Sequence, residues 1–254
     1  MDHYFKKQLF IGLVFVLIVV VIGGGIYLII RNSQKNNLPN GDQNPEEKKP
    51  VEILSDKFIP TTENNYDLVA RAKNPNSDFG VESVGYVFEI YDSNNQLIVS
   101  KEGKTYILPQ EAKYIIEQKF FSEKIPAKLE FRLKDVSWIK LKEFSELELR
   151  IKNRNLQLTE EGFNRISGAI ENRSNYDLDK IEVVGLLLDE GGEIIGVGKT
   201  EMRTVLRNES RGFEIIWSYQ VSIPISSFDV RIYTNVFSSE NFLKAHGTPE
   251  QEEE

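Results

Sequence analysis

The sequence predicts an all-β fold in which two tandem antiparallel β-sandwiches follow one transmembrane α-helix. Three observations carry this prediction: a charge-free apolar segment near the N-terminus, a series of short strand-like runs, and an internal repeat with an offset of 98 residues. In chain order, we expect a cytoplasmic head (1–8), a membrane span (9–30), a flexible linker (31–50), two sandwich domains (51–142 and 143–237) and a disordered acidic tail (238–254).

The membrane span is predicted from residues 9–30, which contain no charged side chain. As a helix, this segment is roughly 33 Å long, enough to cross a hydrocarbon core of about 30 Å. The alternative is a cleaved signal peptide, but its apolar region is usually only about 7 to 15 residues long and is followed by small residues. Here Leu28-Ile29-Ile30-Arg31 follows instead. We therefore expect an uncleaved anchor.

The orientation of the anchor rests on the lengths of its two flanks. Positive charges lie on both sides, at Lys6 and Lys7 and at Arg31 and Lys35, so they do not decide it. A short head before a large C-terminal region is typical of a signal anchor with a cytoplasmic N-terminus. We expect the C-terminal domains to lie outside the cytoplasm, in the cell envelope of a bacterium.

The segment after the span, residues 31–50, is predicted to be a flexible linker. It holds Pro39, Pro45 and Pro50 and almost no apolar residue, so it cannot form a core.

Composition excludes several classes of function. The formal net charge of −8 argues against binding to nucleic acid, which requires basic patches. The chain has no cysteine, which excludes disulfides, thiol nucleophiles and thiolate metal sites.

Short runs rich in β-branched and aromatic residues begin after the linker and are separated by turn residues. Runs this short, spaced by about 8 to 12 residues, are typical of an antiparallel sandwich or barrel. No segment predicts a helix. In the first half, strands are expected at 66–72, 81–91, 96–99, 114–121 and 129–133.

The second half of this region repeats the first. Ile125-Pro126 stands 98 positions before Ile223-Pro224, and the segments 107–113 and 205–211 share the same offset. Residues 74–77 align with 172–175, and Asp92 aligns with Asp189 within one residue. We interpret this as two copies of one unit, with a boundary near residues 139–144.

One motif in the first unit resembles a known family. Phe88-Glu89-Ile90-Tyr91-Asp92 has the pattern F-x-[LI]-Y-D of the FxLYD domain, and Asn74-Pro75-Asn76 resembles the turn of the related LEA type 2 (LEA14-like) domains. The second unit keeps only Leu187 and Asp189 of the motif. The resemblance covers about residues 53–237. It implies immunoglobulin-like β-sandwiches and no shared catalytic site.

The residues of this motif are expected to be structural. Phe88 and Ile90 lie two positions apart and share one face of a strand, whereas Tyr91 points to the other face. Asp92 stands where the strand must turn, and its carboxylate can accept hydrogen bonds from the following backbone. A binding role for these residues is the less favoured alternative.

A possible phosphate-binding loop ends in Gly198-Lys199-Thr200. The motif G-x-x-x-x-G-K-[ST] requires glycine at position 193, where Glu193 stands. Such a loop must also open a helix, whereas residues 201–206 alternate like a strand. The sequence therefore does not predict a nucleotide site.

Other catalytic and metal-binding chemistry finds little support. The two histidines, His3 and His246, lie outside the expected domains, so a histidine-based site is not predicted. Asp177 with Asp179, or Asp189 with Glu190 and Glu193, could hold calcium, but they lack the D-x-D-x-D-G spacing. We expect no catalytic, cofactor-binding or metal-binding residues. Asn-x-Ser triplets at 172–174 and 208–210 matter only in a eukaryotic secretory pathway.

The function that this sequence favours is interaction rather than catalysis. Trp138 and Trp217 are expected to pack in cores, with an exposed contact surface as the alternative. The prediction is a single-pass, non-catalytic envelope protein that displays two sandwiches and binds other envelope proteins, but no nucleic acid. The alternatives are an enzyme that uses an unrecognised set of acidic residues, or an assembly factor of a membrane or secretion complex.

Overall fold

The computed structural model describes residues 48–141, 144, 147–239 and 242–243, all of which belong to one compact unit. Within them lie twelve β-strands and one short 3-10 helix, Val236–Ser238. The first six strands are β1 (Glu52–Pro60), β2 (Asn65–Lys73), β3 (Phe79–Tyr91), β4 (Leu97–Ile107), β5 (Ala112–Phe121) and β6 (Lys128–Lys140). The other six are β7 (Leu149–Leu158), β8 (Asn164–Asn172), β9 (Leu178–Leu188), β10 (Ile194–Val205), β11 (Ser210–Ile216) and β12 (Ser227–Tyr233).

The strands form four antiparallel sheets of three strands each, with the orders β1-β2-β5, β4-β3-β6, β11-β8-β7 and β10-β9-β12. The order in the second half is the order in the first with six added to each strand number. Ile90 pairs with Leu129, and Leu187 pairs with Phe228 at the matching place in the second half. The predicted all-β architecture of two tandem sandwiches is confirmed. We call them the first repeat (β1–β6) and the second repeat (β7–β12).

Two strands extend well beyond their predicted bounds. The prediction placed strands at 96–99 and 129–133, whereas β4 continues to Ile107 and β6 to Lys140. The added part of β4 is mostly polar, and only its last residue, Ile107, is buried, so apolar content did not indicate it. In β6, the backbone changes to a positive φ of 52° at Asp135, next to an irregular pairing with β3. This irregularity interrupts the alternation of side chains on which the sequence prediction relied.

Each repeat has its own hydrophobic core between its two sheets. The core of the first repeat includes Leu68, Phe88, Ile115 and Phe131, and Phe88 and Phe131 lie 4.8 Å apart between ring centroids. The core of the second repeat is built around Ile166, Leu187, Phe213, Ile215 and Trp217. Along β8, residues that face this core alternate with less buried residues on the outer face, as expected for a sheet that packs on one side.

A third core joins the two repeats, and we call it the inter-repeat core. It lies between sheet β1-β2-β5 of the first repeat and sheet β10-β9-β12 of the second. Its buried members are Ile59, Val69 and Ile116 from the first repeat and Val184, Leu186, Val197 and Tyr233 from the second. Because both faces of these two sheets are covered, the four sheets form a continuous stack.

Polar contacts fix the two repeats at the same interface. Gln118 of edge strand β5 donates from Nε2 to the carbonyl of Val197 on edge strand β10, at 3.2 Å. In return, Lys199 of β10 donates from Nζ to the carbonyl of Ile116 on β5, at 3.1 Å. Each edge strand thus has a backbone acceptor covered by the other repeat, which protects both edges from pairing with other chains.

Both ends of the compact unit differ from their predicted bounds. The linker was expected to run to residue 50, yet the backbone N–H and carbonyl of Lys49 bond to the Asn76 side chain at 2.9 and 2.8 Å. The tail was expected to lose structure from Ser238 onward, which is wrong for Phe242. This side chain is buried in a small core with Ile139, Leu141 and Val236. Burial of its apolar ring favours packing, whereas the polar and charged residues that make up most of the tail gain nothing from burial.

The predicted membrane span, residues 9–30, lies outside the described residues. In the part of the chain that the structure describes, no helix combines the length and apolarity needed to cross a membrane.

Candidate functional site

The motif of the first repeat, residues 88–92, lies in the core of that repeat and at its β3–β4 turn. Phe88 and Ile90 are fully buried in the core of the first repeat. Tyr91 lies on the opposite face and donates from its hydroxyl to Glu89 at 2.7 Å. Oδ1 of Asp92 accepts from the backbone N–H groups of Asn94 and Gln96, both at 2.9 Å, which closes the β3–β4 turn. The motif residues therefore pack the core and close the turn, which are structural roles.

The turn at Asn74-Pro75-Asn76 is held by the buried amide of Asn74. Its Nδ2 donates to the carbonyls of Phe79 and Leu108 at 2.7 and 3.1 Å, and its Oδ1 accepts from the backbone N–H of Asn76 at 3.0 Å. One side chain therefore ties the β2–β3 connection to the end of β4. Pro75, which has no N–H to satisfy, occupies the middle of the turn.

The second repeat reproduces this turn with Asn172. Its Nδ2 donates to the carbonyls of Tyr176 and Val205 at 2.9 and 3.1 Å, and its Oδ1 accepts from the N–H of Ser174 at 3.1 Å. Asn172 is fully buried. The Asn-x-Ser triplet at this position is thus part of a buried turn, where its amide is inaccessible to glycosylation.

The second repeat lacks Phe88 of the motif because a different side chain fills the same space. In the aligned position stands Gly185, while Leu187 is buried and Asp189 closes its turn by accepting from Glu193 N–H at 2.8 Å. A Cβ on Gly185 would lie 3.0 Å from the Trp217 ring. Trp217 approaches from the opposite sheet, so the aromatic volume has moved from one sheet to the other.

The segments that suggested a phosphate loop or calcium serve other purposes. Gly198, Lys199 and Thr200 lie within strand β10, so no helix opens there. Oδ1 of Asp177 accepts from the backbone N–H of Arg207 at 2.8 Å. Among the described residues, no group of three or more histidine, aspartate or glutamate side chains is arranged to hold a metal ion.

Asp67 is a buried carboxylate at the contact between the repeats. Its Oδ1 accepts from the backbone N–H of Lys119 at 3.0 Å, and its Oδ2 accepts from the hydroxyl of Tyr219 at 3.2 Å. Burial raises the pKa of Asp67, and these hydrogen bonds counteract part of that effect. Since both oxygens are used to join β2, β5 and the β11–β12 loop, the arrangement is that of a structural link.

A second buried charge lines a cleft between the repeats. Lys113 of β5 is 3% exposed, and its Nζ lies 3.3 Å from the centroid of the Tyr106 ring and 5.1 Å from that of Tyr233. The cleft has a volume of about 430 Å³. Burial lowers the pKa of Lys113 to about 8, although the negative charges of Glu111 and Glu182 act in the opposite direction. Sequence analysis missed this lysine, because nothing in the order Ala-Lys-Tyr-Ile-Ile marks it as buried.

Six of the ten large apolar side chains that are exposed among the described residues lie at one end of their repeat. In an antiparallel sandwich, the β3–β4 turn, the end of β5 and the β5–β6 loop lie at the same end, which we call the apolar end. In the first repeat it carries Leu97, Phe121 and Ile125, which are 51%, 57% and 80% exposed. The corresponding end of the second repeat carries Leu158, Ile216 and Ile223, all at least half exposed.

Both tryptophans pack against a core, and they differ in how deeply they are buried. Trp217 is 1% exposed within the core of the second repeat, which confirms the prediction of core packing. Trp138 on β6 is half-buried and packs against the core of the first repeat. Neither contributes to the apolar ends.

Comparison with known proteins gives no family. No family model matches the chain, and no curated protein matches it. Red sea bream transglutaminase is a similar solved structure, with 11% identity and a TM-score of 0.25 over 78% of this chain and 32% of that chain. This chain thus spans about a third of the transglutaminase. The calcium-binding domain CBD12 of CALX1.1 is similar with 12% identity and a TM-score of 0.20, over 66% of this chain and 72% of that chain. At these TM-scores neither likeness bears on function.

Proposed function

We propose that this chain is a single-pass, non-catalytic envelope protein that presents two fused β-sandwiches outside the cytoplasm and binds other envelope proteins. The charge-free segment 9–30 supports the anchor. The inter-repeat core supports the idea of one rigid module, because seven buried side chains and several cross-repeat hydrogen bonds join the sandwiches.

The observation that carries the binding role is the position of the apolar ends. The chain enters the first repeat at the start of β1, and β1 begins at the end of the sandwich opposite to Phe121 and Ile125. A tether attached there leaves the apolar end directed away from its point of attachment. Large exposed apolar side chains at a loop-rich end are features of protein-binding surfaces.

The family resemblance belongs to this proposal as well. We infer that both repeats are immunoglobulin-like units of the FxLYD or LEA type 2 kind. The support comes from Asn74 and Asn172, which make matching hydrogen bonds 98 positions apart, and from Asp92 and Asp189, which close matching turns. Such units have structural motifs rather than a shared active site.

The topology of the anchor is tested by protease treatment of intact spheroplasts that express the chain with a C-terminal tag. We expect the tag to be lost while a cytoplasmic marker remains intact, because residues 31–254 are outside. A second tag placed before Asp2 should stay protected until detergent is added. Full protection of the C-terminal tag in intact spheroplasts would contradict the proposed orientation.

The binding role is tested by replacing two equivalent residues, Ile125→Ser and Ile223→Ser, in the full-length chain. Crosslinking in intact cells should yield adducts with other envelope proteins, and the double variant should reduce their amount about tenfold. This corresponds to the loss of about 1.4 kcal/mol of binding free energy, which removal of two buried aliphatic contacts can supply. The matched control is Leu206→Ser, at the opposite end of the second repeat and 49% exposed.

The outcome of this experiment separates the module from its alternatives. If Leu206→Ser weakens the adducts as much as the double variant, the apolar ends are not the binding surface. An enzyme would instead be indicated by turnover of a substrate that disappears on replacement of one exposed carboxylate. An assembly factor would copurify with subunits of one membrane complex.

A further inference from the structure

We propose that the cleft between the repeats is a binding site for a small organic carboxylate, with the ammonium group of Lys113 as its counter-ion. The inference is independent of the proposed protein-binding role, because the cleft and the apolar ends are different surfaces. It follows from the position of the lysine, from the lining of the cleft and from a comparison of the two repeats.

Among the side chains that the structure describes, Lys113 makes no ion pair at contact distance, although Glu111 and Glu182 lie near enough for their negative charges to act on it. Within the described residues, no aspartate or glutamate oxygen forms an ion pair with its Nζ at 4.0 Å or less. The ammonium instead lies against the rings of Tyr106 and Tyr233. An ammonium removed from water gains more from an anion than from aromatic faces alone, because the attraction of opposite charges strengthens as water is excluded.

The lining of the cleft offers further hydrogen-bond donors. Ser83 and Asn235 line it together with three lysines, Lys104, Lys113 and Lys180. Two carboxylates, Glu82 and Glu182, line the cleft as well, so the lining holds one more cationic than anionic side chain. Oδ1 of Asn235 accepts from the N–H of Phe237 at 3.1 Å, which orients the amide. Hydroxyl, amide and ammonium donors around one space suit the oxygens of a carboxylate. The volume of about 430 Å³ limits the ligand to a small molecule.

In the second repeat, the residue aligned with Lys113 is also a cation, but it forms an ion pair with a carboxylate of its own repeat. Arg211 stands 98 positions after Lys113. Its side chain is 40% exposed, and its guanidinium forms an ion pair with Glu209 at 2.6 Å. Only in the first repeat is the equivalent cation enclosed, since there the second repeat packs over it and supplies Tyr233. The cleft is therefore a product of the fusion of the two repeats.

The test uses the full-length chain in detergent micelles and measures its thermal unfolding with succinate, with acetate, and with chloride at matched ionic strength. We expect the carboxylates to raise the unfolding temperature beyond chloride, since a ligand that binds only the folded state stabilises it. In Lys113→Met the dissociation constant for succinate should rise about tenfold or more, because the charge-assisted contact is lost. Lys113→Arg keeps the charge and should retain binding.

The pH dependence gives a second, independent measurement. The groups that act on Lys113 are Glu111, Glu182, Lys180, Lys199, Tyr106 and Tyr233. Because the folded-state pKa of Lys113 is lowered to about 8, its ammonium is charged below that pH and neutral above it. Succinate should therefore bind at pH 6.5 and lose affinity by pH 9.5. Binding of the carboxylate raises this pKa, so the midpoint should move upward with succinate concentration.

Two controls keep the proposal open to refutation. Lys128→Gln changes a lysine outside the cleft that is ion-paired with Glu130 at 2.6 Å, and it should bind succinate nearly as the unmodified chain does. If Lys113→Met does not fold, Asn235→Ala should still weaken succinate binding without moving its pH midpoint. Equal stabilisation by chloride and succinate, or equal binding at pH 6.5 and pH 9.5, would overturn the proposal.

Discussion

Replacing Trp217 with alanine is expected to lower the free energy of unfolding by about 3 to 5 kcal/mol, the range for truncation of a buried tryptophan. The ring is 1% exposed and lies over Gly185, Gly196 and Gly198 of the facing sheet. Since glycines have no side chains that could move into the space, the cavity cannot close. The loss of stability should therefore lie toward the upper end of this range.

Two further variants separate the causes of this loss. Trp217→Phe keeps an aromatic ring and removes the indole N–H, which has no hydrogen-bond partner among the described residues. Trp217→Phe should lower the free energy of unfolding clearly less than Trp217→Ala does. Trp138→Ala, at a half-buried site, is the matched control in the first repeat. Urea unfolding followed by circular dichroism measures all three, and a Trp217→Ala loss no larger than that of Trp138→Ala would contradict the role of the glycines.

Replacing Leu186 with glutamate is expected to separate the two repeats. Leu186 is 1% exposed in the inter-repeat core, where an unpaired carboxylate costs several kcal/mol or forces the surfaces apart. The aligned residue in the first repeat is Glu89, which lies on an outer face and pairs with Arg132. Leu186→Glu therefore places in the second repeat the residue that the first repeat has at the aligned, solvent-facing position. Each repeat keeps its own core, so separation should precede unfolding.

The measurement is the shape of the unfolding curve of the full-length chain. The unmodified chain should unfold in one cooperative transition, whereas Leu186→Glu should show two transitions or a reduced slope. Val87→Glu places the same charge on the outer face of sheet β4-β3-β6 and should leave one transition. A single, unshifted transition in Leu186→Glu would show that the inter-repeat core contributes little to stability.

The sequence predicted the local structure well and the contact between the repeats not at all. The turns at Asn74 and Asp92, and the shared face of Phe88 and Ile90, were predicted because each depends on residues close in sequence. The burial of Lys113 depends on the other repeat, and no local pattern encodes it. The apolar ends were likewise missed, since an isolated Ile125 in a loop has no periodicity to detect.

The alignment of the two repeats nevertheless indicates the interface, because interface positions are apolar in one repeat and polar or charged in the other. Ile116 of the inter-repeat core aligns with the exposed Glu214, and Val69 aligns with Ser167. Likewise, Leu186 aligns with Glu89. Both copies share the apolar positions that face their own core. On the second face of a sheet, one copy has apolar residues where the other has polar ones, which indicates that this face is buried only in the copy with the apolar residues. A comparison of this kind, made position by position, indicates which sheets meet.

The same arrangement determines how many units such a chain can join. The sandwiches meet through non-equivalent faces, so the contact has no two-fold symmetry and does not close on itself. A third unit could in principle extend the stack at either outer face. Both outer faces, however, carry ion pairs, such as Lys134–Glu102 on the first repeat and Lys152–Glu171 and Arg165–Glu214 on the second. Stripping these charges of water would cost more than an apolar contact could return. The charged outer faces therefore disfavour the addition of a further unit, and with it growth into filaments.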